Sequence, residues 1–233
     1  MDRVIVFDLG GTLMEYRGMP HSWITYYEAC FRAVDAQYGL RLPPSYIQRS
    51  VEILREYNPR YKPREIEYAA PFLFAEATRH WDTEIPIDDI IRVFFRGMEL
   101  TARIYPDTMP ALSQLQQAGF RIAALTNLPS AMPDSLFRAD IPQLLDALDL
   151  YVSSETCGYR KPHPAGLLYI AEHFGASISS LLFAGDEKLD IETSKRAGCA
   201  SVLVCRSGGA PDFGQGQTVR TLCELTVSLI CQT

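Results

Sequence analysis

The sequence predicts an α/β fold in which a doubly wound parallel sheet is interrupted by a long all-helical insertion. Short apolar runs recur along the chain. They are continuously apolar rather than alternating, which is typical of strands buried on both faces. Helical stretches that end at glycine separate these runs. Residues 16–100 contain no clear run of this kind and are instead rich in aromatic side chains and arginine.

Strands and helices alternate regularly outside the insertion. The predicted strands are 4–7, 121–125, 150–153, 181–184 and 201–205. The helices between them are expected at 108–118, 164–174 and 190–197, ended by Gly119, Gly175 and Gly198. This order predicts a parallel sheet with right-handed crossovers.

The insertion is expected to contain four helices, because proline divides it into segments. The breaks are Pro43-Pro44, Asn58-Pro59 and Pro86. Side chains repeat at helical spacing, and we expect the aromatic ones to form the core of a helix bundle. Two such sets are Trp23, Tyr27, Cys30 and Phe31, and Phe72, Ala75 and Arg79. The predicted organisation is a core formed by residues 1–15 and 101–233 and a helical domain formed by residues 16–100.

Composition excludes several classes of protein. The 233 residues carry a net charge of −6, which argues against a general nucleic-acid binder because such a protein needs a clustered basic face. No apolar run approaches the roughly 18 residues that cross a bilayer, and no signal peptide is visible, so we expect a cytoplasmic protein without a membrane partner. The six cysteines show no zinc-binding or redox spacing, and we expect them to be buried thiols of a reducing compartment.

Polar residues follow three of the predicted strands at the point where each strand ends. They are Asp8, Thr126 and Asp186. Ligands of open α/β sheets bind at the carboxyl ends of the strands, so three separate runs deliver polar groups to one place. An aspartate at such a position can also act as a helix cap or turn residue, but this explanation is weak for three positions together.

Four motifs, in order, resemble the haloacid dehalogenase-like superfamily of hydrolases, in the branch with a helical cap after the first motif. The motifs are VIVFDLGGTL at 4–13, LTN at 125–127, GYRKP at 158–162 and GDEKLDIETSKRAG at 185–198. The long gap between the first and second motifs has the size that a helical cap needs. The resemblance implies a Rossmann-like core with a cap, and a hydrolase that acts on a small phosphorylated substrate.

The resemblance also implies roles for individual residues. Asp8 would be the nucleophile that forms an aspartyl-phosphate, and Lys161 would offset the negative charges that meet there. Thr126, the backbone N–H of Asn127 and Gly11 would hold the phosphate. Mg²⁺ would be bound by four residues, namely Asp8, the backbone carbonyl of Gly10, Asp186 and Asp190. Asp190 and Glu187 are equally explained as carboxylates of a first helical turn, stabilised by the helix dipole.

The first motif departs from the family pattern at Gly10, where phosphatases of the family usually carry a second aspartate as general acid and base. Loss of such a group typically costs about 10²–10⁴ in rate. Three explanations remain open: leaving groups that need no proton, such as acyl or aryl phosphates; a substitute donor; or binding of phosphorylated ligands without efficient turnover. The candidate donors are Glu15, Glu187, Tyr16 and His21.

Two alternatives to a phosphatase follow from the same motifs. A metal-independent 2-haloacid dehalogenase also lacks the second aspartate, but the acidic fourth motif, with Asp186 and Asp190, favours the phosphatase. A protein that binds phosphorylated ligands without turnover would use the same scaffold. The basic and aromatic segment 57–64 is interpreted as a solvated loop between helices in preference to a loop that faces an anionic substrate. The sequence does not predict the oligomeric state.

Overall fold

The computed structural model describes residues 3–20, 22–206, 208–209 and 211–231. Its strands are β1 (Arg3–Phe7), β2 (Met14–Tyr16), β3 (Ala102–Ile104), β4 (Phe120–Thr126), β5 (Leu150–Ser153), β6 (Leu181–Gly185), β7 (Ala200–Val204) and β8 (Gln217–Val219). Its α-helices are α1 (Tyr27–Tyr38), α2 (Pro44–Glu56), α3 (Ala70–Thr78), α4 (Ile87–Arg96), α5 (Thr108–Gln117), α6 (Asp134–Ala139), α7 (Pro142–Leu145), α8 (Ser154–Cys157), α9 (Ala165–His173), α10 (Lys188–Ala197) and α11 (Leu222–Ile230).

Six strands form one parallel sheet in the order β5-β4-β1-β6-β7-β8. The predicted α/β fold is thus confirmed, and β1 is central because β4 and β6 both pair with it. Successive side chains of β1 enter two different cores. Val4 and Val6 pack with Leu167 and Ile170 of α9, whereas Ile5 and Phe7 belong to the larger core on the other face. Burial on both faces explains why the strand is continuously apolar.

The chain leaves the sheet after β1 and returns before α5 through an antiparallel ribbon of β2 and β3. The four helices between these strands, α1 to α4, pack on one another as a bundle. Buried rings at its centre include Tyr27, Phe31, Phe74 and Phe94, with Phe31 and Phe94 at a centroid distance of 4.9 Å. The expectation that aromatic residues build a helical core is therefore correct for these positions.

The predicted spacing is wrong for α3. Its buried residues include Leu73, Phe74 and Ala77, whereas Phe72 is exposed. Tyr61 and Tyr68 are also exposed and lie outside the bundle core. The helix is apolar on several sides, so composition alone does not indicate which side faces inward.

Two further expectations need correction. The sheet has a sixth strand, β8, which was missed because it is only three residues long and has no apolar run. Only Cys30 of the six free cysteines is buried, and Cys223 and Cys231 are exposed on or near the C-terminal helix α11. Among the described residues, no helix has both the length and the apolar character that crossing a bilayer requires.

Candidate active site

Asp8, Thr126 and Asp186 lie at the carboxyl edge of the sheet. Asp8 directly follows β1, Thr126 is the last residue of β4, and Asp186 directly follows β6. The register pairs Phe7 with residues of both neighbouring strands, and the Asp8 N–H donates to the carbonyl of Ala184 at 2.8 Å. All three polar residues line one large cavity of about 960 Å³.

Lys161 brings a buried ammonium group into this cluster. Its Nζ lies 2.5 Å from Asp8 Oδ1 and 2.6 Å from Asp190 Oδ1. The side chain of Asn127 forms hydrogen bonds with both the N–H and the carbonyl of the Lys161 backbone. Asn127 Nδ2 donates to the Lys161 carbonyl at 3.2 Å, and Asn127 Oδ1 accepts from the Lys161 N–H at 2.8 Å. Sequence reasoning considered only the backbone of Asn127, so this positioning contact was missed.

Asp190 lies in the first turn of α10 and also belongs to the cluster. Its Oδ2 accepts from the Glu187 N–H at 2.9 Å, which caps the helix, while its Oδ1 accepts from Lys161. The close approach of this side chain depends on Gly185, because a Cβ there would lie 2.3 Å from Asp190 Oδ2. Asp190 therefore serves as a carboxylate of the first helical turn and as a partner of the buried lysine at once.

Gly11 makes room for the Asp186 carboxylate in a similar way. Its backbone has φ +84°, and a Cβ would lie 2.1 Å from Asp186 Oδ2. Thr12 Oγ1 donates to Asp186 Oδ1 at 3.3 Å. Gly10 differs from its neighbour, since a Cβ there would meet no atom within 4 Å. The position that lacks the expected aspartate is thus open enough to accept a side chain.

The cluster contains more buried negative than positive charge. Carboxylate oxygens of Asp8, Asp186 and Asp190 lie within 4.8 Å of one another, and Lys161 is the cation bonded to two of them. Burial raises the pKa of Asp8 to about 7, and neighbouring carboxylates add to this rise while Lys161 opposes it. Burial and the same carboxylates raise the pKa of Asp186 to about 8. Burial disfavours the charged form of Lys161, but its two carboxylate partners outweigh burial and raise the lysine pKa.

The segment 57–64 is a loop between α2 and α3 whose residues 60–63 are exposed to solvent, as predicted, and it also forms part of the cavity wall. Asn58 anchors it, because its Nδ2 donates to the buried Tyr27 hydroxyl at 2.8 Å and its Oδ1 accepts from the Arg60 N–H at 2.9 Å. Arg60 then reaches across to the sheet edge, where its Nη2 lies 2.5 Å from Glu187 Oε1. A cation of the helical segment therefore faces the acidic edge of the core.

A buried ion pair next to Lys161 joins the helical segment to the core and was not foreseen. Arg160 pairs with Glu67, and its Nη2 donates to the Leu128 carbonyl at 2.9 Å. The backbone of the same stretch pairs as well: Glu67 N–H donates to the Gly158 carbonyl at 3.0 Å, and Arg160 N–H donates to the Glu65 carbonyl at 2.7 Å. The only available sequence signal was the position of Arg160 beside Lys161 in the third motif.

The described candidates for a substitute proton donor have other partners. Glu15 accepts from the Tyr105 hydroxyl at 3.1 Å and lies 3.6 Å from Arg103. Glu187 is bonded to Arg60. The Tyr16 hydroxyl donates to Asp140 Oδ2 at 2.8 Å, and burial together with this bond raises the tyrosine pKa. His21 lies outside the described residues.

A doubly wound sheet with a charged cluster at its carboxyl edge defines an α/β enzyme whose ligand site lies at the strand ends. A family model described as haloacid dehalogenase-like hydrolase matches residues 3–198, and the chain belongs to this family. The protein is therefore a hydrolase of the haloacid dehalogenase-like type, as the four motifs predicted.

Individual relatives agree with this assignment. A phosphoglycolate phosphatase of Shigella boydii serotype 4 is 27% identical over 219 residues, which cover 86% of this chain and 80% of the relative. A HAD phosphatase from Thermococcus onnurineus matches with a TM-score of 0.66 at 20% identity over 98% of both chains. A 2-haloacid dehalogenase from Pseudomonas syringae matches with a TM-score of 0.73 at 21% identity over the full length of both. Because phosphatases and dehalogenases share this fold, these structural matches establish the fold alone.

Proposed function

We propose that this hydrolase is a Mg²⁺-dependent phosphatase of a small phosphorylated metabolite and that it acts through an aspartyl-phosphate on Asp8. The observation that carries the proposal is the cluster of Asp8, Asp186, Asp190 and Lys161 at the sheet edge, in which two buried carboxylates and one partly buried carboxylate share one buried ammonium group. In a dehalogenase that works without metal, this excess of negative charge would not be neutralised, and the carboxylates would destabilise one another. The phosphoglycolate phosphatase relative points the same way.

The donor set fits a magnesium ion. Hard divalent cations prefer carboxylate and carbonyl oxygens. Burial and neighbouring carboxylates raise the pKa values of Asp8 and Asp186, and a bound cation would favour the charged form of both groups. Asp8, Asp186 and the carbonyl of Gly10 would hold the ion. Both oxygens of Asp190 already accept hydrogen bonds, which favours a role in holding Lys161 over direct coordination. When bound, Mg²⁺ would offset the negative charge of the phosphoryl group.

The chain's own residues carry the chemistry. A carboxylate oxygen of Asp8 attacks phosphorus, the ester bond breaks, and its electron pair leaves with the alcohol oxygen. Lys161, bonded to Asp8 Oδ1, offsets the charge that accumulates as the two anions approach. Water then attacks phosphorus of the aspartyl-phosphate, which releases phosphate and restores Asp8. Thr126, the backbone N–H of Asn127 and Gly11 would position the phosphoryl oxygens before the attack.

The helical segment 16–100 would act as a cap over this site. Segment 57–64 lines the cavity, and Arg60 bridges to Glu187 at the sheet edge. A cap in this position excludes water and places a positive charge on the path of an anionic substrate. The proposed domain boundary at residue 15 falls within β2, and the boundary at residue 100 falls just before β3, the strand that pairs with β2.

The proposal is tested with the purified full chain, assayed on para-nitrophenyl phosphate and a 2-haloacid with either Mg²⁺ or a chelator. We expect phosphate release that requires Mg²⁺, no halide release, and loss of activity in Asp8→Asn. The exposed carboxylate of Asp146 offers a matched control, and Asp146→Asn should retain wild-type activity. Halide release in the presence of chelator, or full phosphatase activity in Asp8→Asn, would contradict the proposal.

A further inference from the structure

The cavity that Asp8 lines also has aromatic side chains in its wall. Tyr16, Trp23 and Phe137 all line it. Their rings pack edge to face, with centroid distances of 5.3 Å between Tyr16 and Trp23 and 6.2 Å between Tyr16 and Phe137. Met14 and the buried Tyr27 extend the same lining. An aromatic lining of this kind accommodates a flat ring, because ring pairs gain stability beyond the area they bury.

The candidate proton donors for the leaving group that lie within the described residues are bonded to other side chains. Position 10 has no side chain, and the described candidates Glu15, Glu187 and Tyr16 are engaged with other residues. An alkyl ester needs a proton at its departing oxygen, whereas a phenol ester does not, because phenolate is a much weaker base than an alkoxide. The acidity of the tyrosine side chain, with a pKa of about 10, illustrates this property of phenols.

Both features favour the same chemistry. We infer that the substrate is an aryl phosphate monoester, a phenol ester of phosphoric acid whose ring packs against Tyr16 and Trp23, with the buried Phe137 supporting Tyr16 from behind. This inference rests on the proposed function and specifies its substrate class. In the reaction, Asp8 attacks phosphorus, the bond between phosphorus and the phenolic oxygen breaks, and the electron pair leaves as phenolate, which takes a proton from water. A second water cleaves the aspartyl-phosphate.

The leaving-group half of the inference is tested with two esters that carry the same ring. Phenyl phosphate releases a phenol, and benzyl phosphate releases an alkyl alcohol. We expect kcat/KM of the wild-type enzyme to be higher for phenyl phosphate by about 10²–10⁴, the usual contribution of general acid catalysis. Gly10→Asp, which meets no atom within 4 Å of its Cβ, should raise the rate with benzyl phosphate by a larger factor than the rate with phenyl phosphate.

The ring-binding half is tested at Trp23, which is partly exposed in the cavity. Trp23→Ala should raise KM for phenyl phosphate by about threefold to tenfold, which corresponds to loss of one aromatic pair. Trp23→Phe should restore most of this loss. Acetyl phosphate has no ring and also needs no proton donor, so its kcat/KM should fall less in Trp23→Ala than that of phenyl phosphate. Phe72→Ala removes an exposed ring that does not line the cavity, and it should leave both substrates unaffected.

The outcomes separate this inference from the proposed function. Equal wild-type rates for phenyl and benzyl phosphate, or an equal effect of Trp23→Ala on phenyl and acetyl phosphate, would overturn the aryl substrate class while leaving the phosphatase in place. Failure to hydrolyse any phosphate ester in the presence of Mg²⁺ would overturn the proposed function and this inference with it.

Discussion

Replacing Gly11 with alanine is expected to damage the site in two ways that can be measured separately. The backbone at Gly11 has φ +84°, where an L-residue costs roughly 1–2 kcal/mol of stability. The new Cβ would also lie 2.1 Å from Asp186 Oδ2, whereas ordinary contacts begin at 3.4 Å. The Asp186 carboxylate must therefore retreat by roughly 1 Å, and a misplacement of this size can lower kcat/KM by about 10²-fold.

The matched control is Gly39→Ala at the end of α1. Gly39 has φ +62° and open space around its Cβ, so this variant carries the backbone strain without the clash. Both variants should lower the free energy of unfolding in urea, Gly11→Ala by more because of the clash, but only Gly11→Ala should lose affinity for Mg²⁺ in calorimetry and activity on para-nitrophenyl phosphate. If Gly11→Ala kept wild-type affinity for Mg²⁺, Asp186 would not be a ligand and the reasoning would fail.

Three further predictions concern the surroundings of the cluster. Asn127→Ala removes both hydrogen bonds to the Lys161 backbone and should lower kcat about tenfold with a smaller change in KM; an unchanged kcat would contradict the positioning role. Glu67→Gln leaves the buried Arg160 without its counter-ion and should lower the free energy of unfolding by about 3–5 kcal/mol, whereas Glu28→Gln in an exposed pair should cost less than about 1 kcal/mol. Because the pKa values of Asp8 and Asp186 are raised to about 7 and about 8, the metal-free protein should lose stability as pH rises from 3.8 towards 8. Mg²⁺ should therefore raise the Tm more at about pH 8.5 than at about pH 6, and an equal shift at both pH values would contradict this assignment.

The sheet was predictable because its strands are buried on both faces. Because these strands are buried on both faces, runs such as 4–7 and 181–184 are continuously apolar in sequence. Glycines mark where the intervening helices end. Strand β8 has the sequence Gln-Thr-Val and contains no apolar run. It is a strand because it pairs with β7, and this pairing is not visible in the local sequence. The edges of the predicted elements shifted by one or two residues, as at β4, where hydrogen bonding continues beyond the apolar run.

The residue types of the candidate site were predictable, but the contacts between them were not. Asp8 and Lys161 were singled out by motif and position, and the structure places them 2.5 Å apart. The position of segment 57–64 depends on how Asn58 bonds to Tyr27, a contact between residues 31 positions apart that no local pattern reveals. The pairing of Glu67 with Arg160 spans an even longer distance in sequence.

The most direct test of the account is a crystal structure of the protein grown with Mg²⁺ and a phosphate mimic such as vanadate. We predict one Mg²⁺ ion bound by carboxylate oxygens of Asp8 and Asp186, with the mimic in line with Asp8 and Lys161 beside it. An ion bound elsewhere, or a mimic seated away from Asp8, would contradict the account.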